Sequence, residues 1–196
     1  GGNPSRTRPV SARRHSAVSH ARLGPGAEFD RIRGIAPRLG SATRDLGDDC
    51  ALLPDGASFL ALSTDLSIEN VHFRRDWLTL EEIGWRAAAA ALSDLAAVGA
   101  SCIGLLAAIG APKTTPPSDI ESLMTGVGQA VTEVEGLVLG GDLSAATEWL
   151  VRITVIGRPA RPVERSAGRA AGGLWGSVAA GGCRWPRADW AERDGG

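Results

Sequence analysis

Residues 79–100 read TLEEIGWRAAAAALSDLAAVGA, and this run constrains the fold more than any other in the chain. Thr79 stands where an N-cap is needed, Glu82 follows three residues later as a capping-box partner, and Gly99 lies near the end. The pattern predicts one long helix. Its alanines combine high intrinsic helix propensity with side chains small enough for neighbouring backbones to approach closely. Asp94 interrupts this apolar run. A carboxylate among alanines is expected to be buried, and a buried charge needs a partner.

The segments on either side of this helix set the fold class. Upstream, GAEFDRIRGIAPRLG places Phe29, Ile32, Ile35 and Ala36 on one helical face, with Pro37 near its end. CALLP and SFLALSTDLS are short and apolar, with Pro54, Asp55 and Gly56 as turn chemistry between two paired strands. Downstream, CIGLLAAIGAP reads as a buried strand. SDIESLMTGVGQAVTEV reads as a helix capped by Ser118, with Ile120, Leu123, Met124, Val127 and Val131 facing inward. GLVLGGDLS and EWLVRITVIGR close the pattern as two more strands. The predicted fold is an α/β, or α+β, sandwich: a mixed sheet with helices covering one face.

Charge narrows the function classes. Residues 1–22 hold five arginines and no acid, while residues 23–166 hold nineteen acids against twelve bases. An acidic middle is a poor nucleic-acid surface and a good environment for metal cations. No apolar run approaches a membrane span, and the three cysteines, Cys50, Cys102 and Cys183, show neither disulfide-framework nor zinc-site spacing. A cytoplasmic setting is expected. Residues 1–22 read as a disordered basic tail, 23–166 as the folded domain, and 167–196, rich in Gly, Arg and Trp, as a second disordered tail.

Acids recur where elements end: Asp48 and Asp49 before a strand, Asp65 in STDLS, Asp94 on the long helix, and Asp142 in LVLGGD. Taken singly, each has an ordinary explanation. Asp48 and Asp49 suit an Asx-turn, Asp65 could pair with Arg74 or Arg75, and Asp94 with Arg86. Taken together, several convergent carboxylates with no lysine nearby suggest Mg²⁺, which takes oxygen ligands and leaves room for water and phosphate.

The motifs GDDCALL, STDLSIENVHF, LSDLAAVGA and GGDLS resemble those of thiamine-monophosphate kinase, and the likeness runs from about Gly26 to Ser166. That family shares a superfamily with aminoimidazole ribonucleotide synthetase and selenophosphate synthetase. The resemblance implies an N-terminal ATP-binding α/β domain whose sheet joins that of a second subunit in a homodimer. It implies Mg²⁺-dependent transfer of the ATP γ-phosphate to thiamine monophosphate, giving thiamine diphosphate. By the same resemblance Asp49, Ser63, Thr64, Asp65, Asp94 and Asp142 would bind several magnesium ions. Gly141, Asp142 and Arg165 would contact ATP, and His72 the thiamine phosphate. No protein nucleophile is implied.

This sequence departs from the family pattern in three places. Ala91 replaces an asparagine before LSDLAA, and Leu143–Ser144 replaces a threonine pair after GGD. The stretch after Ser166 does not match the family's C-terminal domain, which is expected to be absent, and the last thirty residues have the composition that a shifted reading frame would produce. The alternatives to a working kinase are a truncated fragment that only dimerises and binds Mg²⁺ and nucleotide weakly, or another superfamily member such as selenophosphate synthetase.

Overall fold

The structure, a computed structural model, describes residues 26–43 and 46–160. The tails expected at 1–22 and 167–196 lie outside the described residues. The chain divides at Gly47/Asp48 into two compact units. The first contains helix α1 (Ala27–Leu39) and a 3₁₀ turn (Gly40–Ala42). Phe29, Ile32 and Ala36 are half-buried along one face of α1, but Ile35 is exposed. Pro37 falls in its last turn, and Gly40, at φ 52°, ends it in a conformation that glycine adopts without a Cβ penalty.

The described residues of the second unit form a five-stranded sheet with two helices. Its elements are β1 (Ala51–Asp55), β2 (Ser58–Ile68), α2 (Leu80–Ala97), β3 (Ala100–Ala111), α3 (Pro117–Glu133), β4 (Leu137–Ala145) and β5 (Leu150–Pro159). The strand order is β1-β2-β5-β3-β4, with β3 and β4 parallel and every other pair antiparallel. This is the mixed sheet expected. Among the described residues the last strand in sequence inserts at the centre. Its alternation explains why: Val151, Ile153 and Val155 are fully buried, each stabilising the fold by roughly 1.5–3 kcal/mol relative to exposure.

Two local expectations are corrected. Pro54 and Asp55 belong to β1, and the hairpin turns on Gly56 and Ala57, with Gly56 at φ 60°. Pro54 is tolerated because β1 is an edge strand and can forgo a donor. Helix α3 starts two residues earlier than the Ser118 cap implied, with Pro116 at the N-cap and no side-chain cap. Pro117 at the first helical position supplies a preset φ and lacks only a donor that would be unpaired there.

Helix α2 begins as expected: Thr79 and Glu82 form the complete capping box. It packs on β2, β5 and β3, while α3 packs on α2 and against β4. Ile83, Leu92 and Leu95 of α2 and Leu123, Val127 and Val131 of α3 join the strand residues in one core. Among the described residues no element of this unit covers the opposite face. There Leu53 and Leu106 are 50% and 39% exposed, and Thr64, Arg152 and Arg158 are also exposed.

Candidate functional site

The acids meet where the start of β1, the middle of β2 and the C-terminal half of α2 converge. Residues Asp48–Cys50 lead into β1. The Asp49 amide donates to Asp48 Oδ1 at 3.0 Å, a contact to the adjacent residue and not the i to i+2 bond of an Asx-turn. Cys50 is buried, and its Sγ donates to the Asp94 carbonyl oxygen at 3.4 Å, which fastens this segment to α2. From β2, Ser63 Oγ donates to Asp94 Oδ2 at 2.5 Å. Such a short hydroxyl–carboxylate bond is charge-assisted and orients the carboxylate.

The thiol of Cys50 senses the charge gathered here. Burial, reinforced by the negative charges of Asp94, Asp49 and Asp48, pushes it up to about 12. The acids are less buried than the sequence suggested. Among the described residues no charged side chain is fully buried, and Asp94 is only half-buried, with the Ser63 hydroxyl against it. Arg74 and Arg75 also leave Asp65 alone, pairing with Asp76 at 2.6 Å and Asp119 at 3.2 Å.

Asp65 lies two residues beyond Ser63 on the same, helix-facing side of β2, opposite the buried Ile153. It lines a cleft of about 220 Å³ together with Leu66, Ser67, His72, Phe73, Ile83, Arg86, Ala87 and Ala90. Ile83, Arg86, Ala87 and Ala90 have the i, i+3, i+4, i+7 spacing of one helix stripe, which Asp94 continues. The Ile68 amide donates to His72 Nδ1 at 3.0 Å, so the neutral ring carries its proton on Nε2. Arg86 was missed as a cleft residue. Its helical phase with Ile83 and Ala90 was the signal that could have found it.

Thr64 and Asp142 lie elsewhere. Thr64 is on the open face, its hydroxyl 3.0 Å from that of Thr154. Asp142 aligns with Ala108, Arg152 and Leu66, one register step from the row containing Gly141, Ala107, Ile153 and Asp65. Successive rows point to opposite faces, so Asp142 faces away from Asp65 and is three strand spacings, about 14 Å, across the sheet. Ser144 Oγ donates to Asp142 Oδ2 at 3.0 Å. Gly141 has a packing reason of its own: a Cβ there would sit 1.8 Å from the Ala107 carbonyl oxygen. Arg165 lies outside the described residues.

Among the described residues no three His, Cys, Asp or Glu side chains converge into a metal cage. The oxygen donors of Asp49, Ser63, Asp65 and Asp94 are nevertheless hard ligands. Their sparse arrangement fits Mg²⁺, which binds through one or two carboxylates and keeps waters and phosphate oxygens for the rest.

Comparison with known proteins agrees with this fold. Residues 47–158 match the family model for AIR synthase related protein, N-terminal domain. A thiamine-monophosphate kinase from Mycobacterium tuberculosis is 34% identical over 152 residues, covering 76% of this chain and 45% of the relative. Among solved structures, AaThiL complexed with AMPPCP and TMP superposes with a TM-score of 0.66 at 30% identity, covering 70% of this chain and 44% of that one. Thiamine monophosphate kinase from Aquifex aeolicus gives 0.61 at 25% identity, with coverage of 68% and 44%. The chain thus spans less than half the length of the relatives it matches. No helix among the described residues is long and apolar enough to cross a membrane.

Proposed function

The chain belongs to the family of AIR synthase related proteins through their N-terminal domain, and from that premise we propose that it serves ATP-dependent phosphoryl transfer to thiamine monophosphate, yielding thiamine diphosphate. The observation that carries the reading is the arrangement along β2: Ser63 grips Asp94 at 2.5 Å, and two residues on, Asp65 opens into the cleft that also holds His72. A relative's structure with AMPPCP and TMP supports the choice of nucleotide and acceptor.

Asp49, Asp65 and Asp94, with Ser63, would hold magnesium on the helix side of the sheet; on the other side Thr64 on β2 and Asp142 on β4 are about 14 Å apart and would serve separate ions. The metal, when bound, neutralises charge between two polyanions whose repulsion is the main obstacle to phosphoryl transfer. The protein's own part is positioning. Ser63 fixes the Asp94 carboxylate, and the hydrogen bond from Ile68 directs the ring of His72 so that Nε2–H can donate to an acceptor phosphate oxygen. A phosphomonoester is already largely ionised near neutral pH, with a second pKa near ~6, so a strong protein base is not required. Gly141, Asp142 and Arg165 are assigned to the nucleotide. The open face, with Leu53 and Leu106 exposed, supports association with a second copy through the sheet.

Calorimetric titration of ATP into the chain with Mg²⁺, repeated for Asp65→Asn and followed by a turnover assay with thiamine monophosphate, tests the reading. Binding that Asp65→Asn abolishes, together with turnover, is the expected result. Binding without turnover would make the chain a nucleotide-binding fragment, and no binding would overturn the assignment.

A further inference from the structure

We propose that Arg86 is the specificity-determining residue of the cleft, a guanidinium that selects a phosphomonoester acceptor over its unphosphorylated counterpart. The proposal rests on the acceptor reading above and adds to it a residue that the family motifs do not mark. Arg86 lines the cleft beside Asp65 and His72. Among the described residues it makes no ion pair, whereas Arg33, Arg74, Arg75 and Arg158 each hold an acid. Its natural partner one helical turn back, Glu82, is committed elsewhere: the amide and hydroxyl of Thr79 both donate to Glu82 Oε2, at 2.8 and 2.9 Å. Asp94 stands eight residues further along α2, about 12 Å away along the axis.

An exposed cation, kept from its helical neighbour and placed on the wall of a cleft with a ring N–H donor, is poised for a dianion. The guanidinium's planar fork matches phosphate oxygens, and His72 Nε2–H supplies a further donor. Besides Asp65 and Ser67, the rest of the cleft wall is apolar or small, from Phe73 and Ile83 to Ala87. Among the described residues nothing else positive lines the cleft, so removing Arg86 removes the charge on which discrimination depends.

The test uses the 196-residue chain in buffer with Mg²⁺, and reads the His72 ring resonances by NMR as inorganic phosphate, thiamine monophosphate or thiamine is added. In the wild type, phosphate and thiamine monophosphate should shift His72. In Arg86→Gln, which keeps helix propensity and solvent exposure, affinity for both should fall roughly 10- to 100-fold while thiamine binding is unchanged, and Arg86→Lys should restore part of the loss. Equal phosphate response in wild type and Arg86→Gln, or none in the wild type, overturns the proposal. If phosphate acts through Arg86 but thiamine monophosphate binds no better than inorganic phosphate, the role of Arg86 stands and the acceptor reading falls.

Discussion

Substituting Gly126 by alanine tests how closely α2 and α3 approach. A Cβ at Gly126 would lie 1.8 Å from the carbonyl oxygen of Glu81 and 2.8 Å from the amide nitrogen of Trp85. Reciprocally, a Cβ at Gly84 would lie 2.0 Å from the carbonyl oxygen of Leu123. These are backbone atoms that no rotamer change can move. Restoring ordinary contact at about 3.5 Å requires the helices to separate by more than an ångström, which loosens Ile83, Leu123 and Val127 in the core. Overpacking of this kind costs about 3 kcal/mol at the upper end of its usual range, against about 1 kcal/mol gained from the higher helix propensity of alanine. The net expectation for Gly126→Ala is a destabilisation of about 2 kcal/mol. Gly128 provides the control. It sits in the same helix with nothing within 4 Å of its would-be Cβ, so Gly128→Ala should stabilise by roughly 0.4–1 kcal/mol. Urea denaturation followed by circular dichroism, with m unchanged, separates the two signs. A Gly126→Ala chain as stable as Gly128→Ala would refute the backbone-to-backbone packing.

Four further outcomes are expected. Thr79→Ala removes the capping box of α2 and should lower stability by about 1 kcal/mol in the same denaturation assay, whereas Thr79→Ser should cost little. Ser63→Ala leaves the half-buried Asp94 carboxylate without its hydroxyl donor and should cost about 1.5 kcal/mol; a neutral result would mean that the bond does not orient Asp94. Burial pushes the Cys50 thiol up to about 12 and favours its neutral form in the folded chain. That stabilisation is therefore complete below the unfolded thiol's pKa of about 8.5 and is lost as pH rises towards 12, so iodoacetamide in chelator at pH 8 should spare Cys50 until the chain is unfolded. Because Asp65 and Asp142 are about 14 Å apart, their Asn variants should weaken Mg²⁺ binding additively in calorimetry, and strong coupling would contradict the register.

Where backbone chemistry is local, the sequence was readable. Thr79 and Glu82 stand three residues apart and satisfy each other without help from the rest of the fold, so the start of α2 could be placed. Leu123, Val127 and Val131 follow a helical period that burial then confirms. The hairpin was displaced by one step because Pro54 and Asp55 are turn-formers that an edge strand can also accommodate, and only the pairing of Asp55 with Ser58 decides between the two. The placement of β5 between β2 and β3 is a long-range choice that no local pattern encodes. For the site, residue types pointed to Asp49, Asp65 and Asp94, but not to Ser63 as the group that grips Asp94, which follows from the β2–α2 packing. Arg86 escaped notice as a cleft residue because an arginine on an alanine-rich helix looks like a solvated charge until His72 is seen near it.

The position of Asp142 shows what a sheet can and cannot do with a set of acids. A strand alternates faces at every residue, so one register step separates a carboxylate that looks toward α2 from one that looks away. Magnesium holds its ligands at about 2.0–2.1 Å, and a single ion therefore joins only oxygens within about 4 Å of one another. Within this chain Asp142 and Asp65 cannot share an ion. The close approach of Gly141 to the Ala107 carbonyl holds that register in place, because any side chain at 141 would force β4 away from β3. Gly141 thus acts on Asp142 through the backbone: it keeps β4 in the register that presents the carboxylate on the open face, next to apolar surface that the described elements of this unit leave uncovered. Asp65 and Asp142 would therefore serve separate ions in separate sites, one on each face, and the surface that completes the Asp142 side has to come from beyond the described elements of this unit.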